Sequence, residues 1–243
     1  MKLGSQLNIQ DLSYSFGQTM ILDQLNLNVK EGSIHSLIGT TGVGKSLLLR
    51  LVSGLTQMQA GVINADTENL SFVFQNNSFF SWLTIEKNLD LTSNQKTNEM
   101  HELIRRFKLD EYLQLYPKFL SGGTVQKFNL LRAFIGKPKL ILMDEPYSHL
   151  DIIQREDLYR FTLELWNEYK PTIFFVTHDI DEALYLSNHI SFLSKKSKKV
   201  AGELKVKDDL PNAVLDSLVE HRAREDYLKQ FKFIHNWLTM DIN

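Results

Sequence analysis

Eight residues near the start of the chain have the types and spacing to bind phosphate. Gly39-Thr40-Thr41-Gly42-Val43-Gly44-Lys45-Ser46 fits the pattern G-x-x-x-x-G-K-[ST]. Glycines let the backbone turn tightly enough for successive amide N–H groups to converge on anionic oxygens. A helix opening at Lys45 would add its positive N-terminal end. The Lys45 ammonium would reach the outer phosphates of a nucleotide, and the Ser46 hydroxyl would hold a divalent cation. A second constellation lies downstream, where the apolar run Leu140-Ile141-Leu142-Met143 ends in Asp144-Glu145. Asp144 is placed to bind the cation, directly or through water. Glu145, one residue on, can take a proton from a water that attacks phosphorus.

These groups need elements that bring them together. Ser33 to Ile38 reads as a strand running into the glycine-rich turn, and Lys45 to Leu55 carries apolar residues at helical spacing, with Gly54 near its end. Leu140 to Met143 and Thr172 to Val176 are short continuous apolar runs, the pattern of strands buried on both faces of a parallel sheet. Open sheets of that kind bind ligands at the carboxyl ends of their strands, which puts the acidic pair beside the phosphates. Leu7 to Ile9 and Leu25 to Val29 alternate as half-buried strands do. Between Asn76 and Gln126 the β-type runs stop, and Asn98 to Phe107 and Glu111 to Tyr116 look helical. After Pro211, apolar residues at Leu215, Leu218 and Val219, then Tyr227, Phe231, Ile234 and Leu238, read as one or two amphipathic helices packed on their own domain.

Composition narrows the classes. The chain has 243 residues, a net charge of −2 and no cysteine. No global basic field points to nucleic acid, and disulfides and thiolate metal sites are excluded. The short basic cluster Lys195, Lys196, Lys198 and Lys199 reads as a solvated turn. Met1 to Gln10 lacks the basic start and apolar stretch of a signal peptide, and no segment is apolar for long enough to span a membrane. Work at a membrane would therefore need a partner to hold the protein there.

The glycine-rich loop alone does not choose among phosphate-loop families, but Leu120-Ser121-Gly122-Gly123 does. It resembles the signature sequence of ABC ATPases and stands before the acidic strand, as in that family. Gln75 looks like the Q-loop glutamine, Ser148-His149-Leu150-Asp151 like the D-loop, His178 like the switch histidine, and Phe16 like the aromatic that stacks on adenine. The resemblance implies an α/β fold of the P-loop ABC type. A mainly parallel sheet would be joined by an antiparallel β portion and an inserted helical subdomain. It implies one domain over 1–243, with core at 1–75 and 127–204, helical subdomain at 76–126 and a C-terminal helical extension at 205–243. ATP and Mg²⁺ are the implied ligands. Gly39 to Leu47 would hold the nucleotide, and Ser46, Gln75 and Asp144 the metal. Two copies would pair head to tail over two ATP molecules, with Ser121, Gly122, Gly123 and Asp151 serving the other copy's nucleotide. Glu145, His178 and Gln75 would act on the attacking water.

Several positions depart from the family pattern. Thr41 replaces a serine, Leu47 a threonine, Thr124 a glutamine, and His149 a small residue. The stretch from Lys45 to Gln75 is short, so its β-hairpins are expected to be trimmed. None of these changes removes a group that would touch phosphate, magnesium or water, so a competent ATPase is expected. The segment Gln75 to Thr84, followed by Glu86 and Asn88, is similar to nitrate, sulfonate and taurine importers, with Ser81 where a proline is common. The resemblance implies the motor subunit of an importer on the cytoplasmic face of the inner membrane. Its partners would be permease subunits and a separate solute-binding protein, with no nucleic acid. An exporter or lipid-transport motor, and a soluble ABC ATPase of DNA repair or translation, are the alternatives.

Overall fold

Alternation of apolar and polar residues makes a long hairpin of β1 (Ser5–Phe16) and β2 (Thr19–Lys30), turned at Gly17 with φ 55°. The computed structural model describes residues 5–67, 69–76, 78–91, 97–207 and 218–242. Next come β3 (Ile34–Ile38), α1 (Lys45–Val52), β4 (Ala60–Ala65) and β5 (Leu70–Val73). They are followed by α2 (Ile85–Asp90), α3 (Thr97–Arg106), α4 (Gly122–Ile135), β6 (Leu140–Asp144) and α5 (Ile152–Tyr169). The order closes with β7 (Thr172–Thr177), α6 (Ile180–Leu186), β8 (His189–Leu193), β9 (Val200–Lys205), α7 (Leu218–Arg222) and α8 (Glu225–Ile242).

The strands form two sheets, an antiparallel one ordered β2-β1-β4 and a mixed one ordered β5-β6-β7-β3-β8-β9. In the second sheet only the β8–β9 pair is antiparallel among the described residues. Its central strands are buried along their whole length, and their side chains alternate between two cores. Ile141, Met143, Ile173 and Phe175 face a core shared with α4 and α5. Leu140, Leu142, Phe174 and Val176 face the other, shared with α1 and the antiparallel sheet. A third cluster joins Ala183, Leu184 and Phe192 to Tyr227 and Ile234, so α8 packs on its own domain through the apolar spacing read in the sequence.

Three expectations change. The helix expected to reach Leu55 stops at Val52, because Gly54 turns left-handed at φ 75° and its amide bonds back to Leu51. Glu111 to Tyr116 is not a helix beyond a single 3₁₀ turn at Asp110–Tyr112. The Leu113 and Leu115 carbonyls instead accept from the Glu86 and Ile85 amides, each at 2.9 Å, and so pin the segment to the start of α2. The boundary expected at 126/127 falls inside α4, which continues to Ile135. Residues Asn77, Pro211 and Leu215 lie outside the described residues. The lysine cluster forms the tight turn between β8 and β9, closed by the Ser194 amide on the Lys199 carbonyl at 3.0 Å.

Candidate functional site

Strand register builds the site. Ile38 of β3 pairs with Thr177 of β7, Val176 of β7 with Asp144 of β6, and Met143 of β6 with Val73 of β5. Four parallel neighbours therefore end level, and the residues just past those ends, Gly39, His178, Glu145 and Gln75, meet along one sheet edge.

The glycine-rich loop is shaped by contacts that exclude side chains. Gly42 and Gly44 have φ of 79° and 110°, and Gly44 is the N-cap of α1. A Cβ on Gly39 would lie 2.8 Å from the Leu193 carbonyl oxygen, and one on Gly44 would lie 2.9 Å from Ile21 Cγ2. The second contact seats the β1–β2 hairpin against the loop. That hairpin carries Phe16, which is 61% exposed and edge-on to Tyr14. Thr41 and Gly42 are exposed, Val43 is buried beneath Gly39, Leu47 is half-buried, and the buried Thr40 hydroxyl has no hydrogen-bond partner among the described residues.

Lys45 is 5% exposed and donates to the carbonyls of Gly39 at 2.8 Å and Thr40 at 3.2 Å, with Glu145 Oε1 at 3.9 Å. Burial pushes its pKa down, while Glu145 and Asp144 pull it back up. The Ser46 hydroxyl donates to Asp144 Oδ1 at 2.7 Å. Burial raises the Asp144 pKa against the pull of that hydrogen bond. Glu145 ties the remaining strands together. Its Oε2 accepts from Gln75 Nε2 at 3.2 Å, and its Oε1 lies 3.2 Å from His178 Nδ1. Its backbone is left-handed at φ 43°, held by the Ser148 amide and hydroxyl on its carbonyl at 3.2 and 2.9 Å. Such backbone costs on the order of 1–3 kcal/mol outside glycine and persists where surrounding structure fixes it.

The donor set fits a small hard cation. Ser46 Oγ and Asp144 Oδ1 are neighbouring oxygens, and a cation would offset the burial of the carboxylate. No group of three or more His, Cys, Asp or Glu that could hold a metal occurs among the described residues. A cation here would therefore complete its shell with oxygens from a bound phosphate and water, as magnesium sites commonly do.

The other expected residues stand apart from this cluster. Ser121 is exposed, caps α4 by accepting from the Thr124 amide at 3.1 Å, and meets the Thr124 hydroxyl at 2.9 Å. Gly122 and Gly123 sit where a Cβ would press on Leu150 Cδ2 at 3.1 Å and Gln154 Oε1 at 2.9 Å. Asp151, also exposed, caps α5 by accepting from the Gln154 amide at 2.9 Å. His149 turns outward with φ 67°.

Reasoning from sequence missed Arg155, Asp179 and Glu182, which surround His178. Asp179 caps α6 and takes Arg155 Nη1 at 2.8 Å. The available signal was the Asp179-Ile180-Asp181-Glu182 run at a helix start, which reads equally as a solvated first turn.

Comparisons with known proteins show what the chain resembles. A sequence profile of the family described as "ABC transporter" matches residues 22–148. An aliphatic sulfonates import ATP-binding protein SsuB of Bacillus cereus is 35% identical over 228 residues, 89% of this chain and 90% of the relative. The aliphatic sulfonates import ATP-binding protein SsuB 2 of Pseudomonas syringae pv. tomato is 34% identical, over 87% of this chain and 92% of its own. Among solved structures, a dimeric ATP-binding cassette in a post-hydrolysis state bound to ADP and Pi superposes with a TM-score of 0.69. That pair shares 25% identity over 84% of this chain and 100% of the other. The cbiO1 subunit from Clostridium perfringens, at 23% identity, shares the fold with a TM-score of 0.74, over 84% of this chain and 90% of its own.

Proposed function

The chain belongs to the ABC transporter family of ATP-binding, ATP-hydrolysing proteins, and from that premise we propose that it is the motor subunit of an importer for a small organic anion. The observation that carries the mechanism is the cluster in which Glu145 meets Gln75 on one side and His178 on the other. In this reading Phe16 stacks on adenine, and Gly39 to Leu47 wraps the phosphates. Lys45 gives up its carbonyl partners for the β- and γ-phosphates. Ser46 and Asp144 hold Mg²⁺, with Gln75 completing the set. When bound, Mg²⁺ neutralises charge on the β- and γ-phosphate oxygens.

Water attacks the γ-phosphorus while the bond to the oxygen of the departing ADP breaks. Glu145 accepts the water's proton, and His178 donates a hydrogen bond to the γ-phosphate. The products are ADP and inorganic phosphate. Ser121, Gly122, Gly123 and Asp151 serve the nucleotide of a second copy paired head to tail, so ATP closes the pair and hydrolysis opens it.

The segment after Gln75 suits a membrane partner. Trp82 and Phe80, their rings 5.0 Å apart, are 69% and 46% exposed. The Asn88 side chain fixes their loop, bonding the Phe80 amide at 2.7 Å and the Phe80, Leu83 and Thr84 carbonyls at 3.1, 3.2 and 2.9 Å. Exposed aromatics on a firmly held loop suit a docking permease. No described helix is long and apolar enough to cross a membrane, so attachment through the permease on the cytoplasmic face is the corresponding location. The aliphatic sulfonates import proteins among the relatives support a sulfonate-like substrate. A separate solute-binding protein would deliver it.

The test is capture of the tagged chain from detergent-solubilised native membranes, followed by reconstitution of what co-purifies. A multi-span permease whose ATPase rate rises with an aliphatic sulfonate and its binding protein is the expected result. Recovery of soluble proteins alone would remove the transporter reading. Stimulation by a different solute would replace the substrate class.

A further inference from the structure

Glu182 is an acidic side chain beside the site that the mechanism above leaves unused. It lies in the first turn of α6, the helix that begins just after His178, and is 3% exposed. Its Oε1 is buried with no hydrogen-bond partner among the described residues. Thr177 hydrogen-bonds the carboxyl, and the Thr177 hydroxyl oxygen accepts from the Asp179 amide at 3.0 Å. The chain Glu182–Thr177–Asp179 therefore grips the residues on both sides of His178. Asp179 is fixed from the far side as well, since its Oδ1 accepts from the Asp181 and Glu182 amides at 2.9 and 3.2 Å. Its Oδ2 takes Arg155 Nη1 at 2.8 Å.

A carboxyl buried with one oxygen unpaired is unfavourable, and its neighbours Ala183, Leu184 and Leu186 show that this helix accepts apolar residues. Burial first, then the charge of Asp179, holds the Glu182 pKa well above the carboxylate range, with Glu145 adding to the rise and Arg155 opposing it. Glu182, Thr177, His178 and Glu145 line one cavity of about 150 Å³, which is roomy enough for water. The buried acid is thus joined to the catalytic pair by both a covalent-neighbour route and a shared cavity.

We propose that Glu182 is a positioning residue for hydrolysis, holding His178 in register with Glu145 through the Thr177 hydroxyl. This rests on the reading of Glu145 and His178 as the groups that act on water and γ-phosphate. His178 is 55% exposed at its side chain, so little burial fixes its orientation toward Glu145 Oε1, 3.2 Å from its Nδ1. The clamp on its two neighbours supplies that orientation.

The test is steady-state ATPase of the purified full-length chain. Thr177→Val keeps the side-chain shape and removes the hydroxyl. It should lower kcat about tenfold while KM for ATP stays within about twofold, the split expected when only the transition state is affected. Glu182→Leu should lose as much, and Glu182→Gln, which keeps a planar hydrogen-bonding group, should restore most of that turnover. In a His178→Ala background neither Thr177→Val nor Glu182→Leu should cause further loss, because both act through His178. If Glu182→Leu does not fold, Thr177→Val in the two backgrounds decides alone. Wild-type kcat in Thr177→Val, or losses that multiply with His178→Ala, would overturn the proposal. Glu145→Gln anchors the experiment. If it turned over at the wild-type rate, the site assignment would fall and this inference with it, whereas an inactive Glu145→Gln beside an unaffected Thr177→Val overturns this inference alone.

Discussion

Two polar regions of the molecule are built in opposite ways. At the sheet edge, hydrogen bonds join residues far apart in sequence, Ser46 to Asp144 and Gln75 to Glu145, around a lysine buried on backbone carbonyls. At the N-termini of α4 and α5, Ser121 and Asp151 bond within their own helices, to Thr124 and Gln154, and stay exposed. The first region is assembled by the tertiary fold and is complete in one chain. The second is a pair of helix N-termini, joined where the Gly123 amide donates to Gln154 Oε1 at 3.2 Å. In the proposed reading, a single molecule built this way holds nucleotide and a second molecule finishes the chemistry.

The largest expected effect tests that division directly. Glu145→Gln should cut kcat by about 10²–10⁴-fold, the usual contribution of a general base. It should leave ATP affinity nearly unchanged, because Lys45 and Ser46 are untouched. ATP with Mg²⁺ should then drive the variant into a stable pair, visible by light scattering. A Glu145→Gln chain that binds ATP yet stays monomeric at high concentration would deny the second region its role.

Acid should weaken the first region through its scaffold. His35 lies in β3, the strand that delivers the phosphate loop, with Nε2 2.8 Å from the Ser191 hydroxyl. Burial first, then the neighbouring His189, pushes its pKa down to about 3 from 6.5. The folded chain therefore binds fewer protons than the unfolded one between those values. The stabilisation is fully present above pH 6.5 and is lost as pH falls toward 3, at up to ~1.4 kcal/mol per pH unit. Denaturation of the wild type and of His35→Gln across about pH 7 to 4, inside that window, should show a steeper loss in the wild type. Parallel curves would show that His35 is not the titrating group.

Lys45→Ala should come next in size. Its charge-assisted bonds are each worth about 1.5–3 kcal/mol, so calorimetric ATP affinity should fall roughly 10–100-fold. Unchanged affinity would mean that the first region does not hold the nucleotide through this ammonium.

The two regions also differ in how legible they are from sequence. Gly39 to Ser46 is contiguous, so its spacing alone declares the loop, and the Asp144-Glu145 pair follows a strand whose burial is written in four apolar residues. Gln75 and His178 carry no local signal and become readable only through their order relative to the other motifs. Glu182 and Arg155 are not readable at all, because a glutamate in a first helical turn and an arginine in an amphipathic helix ordinarily face water. The half-exposed strands β4 and β9 escape for a similar reason. Gly61 and Asn64 in one, and Gly202 and Glu203 in the other, interrupt the alternation. Glu111 to Tyr116 shows the converse, a helical spacing overruled when the Leu113 and Leu115 carbonyls find partners in α2.

Ser121→Ala should give the smallest shift and the sharpest separation of the two regions. Removing the hydroxyl takes away the N-cap of α4, which costs about 1 kcal/mol of stability. In one chain that is all it should do, since the Ser121 hydroxyl bonds Thr124 at the start of its own helix. ATP affinity of the dilute, unpaired chain should therefore match the wild type. Turnover at concentrations that favour pairing should fall, because in the proposed pair the lost hydroxyl is one of the groups offered to the other copy's γ-phosphate. The same variant thus reads both regions at once, binding in one and closure in the other. If dilute-chain ATP affinity fell together with turnover, Ser121 would be serving the nucleotide of its own chain. The two regions would then be one site.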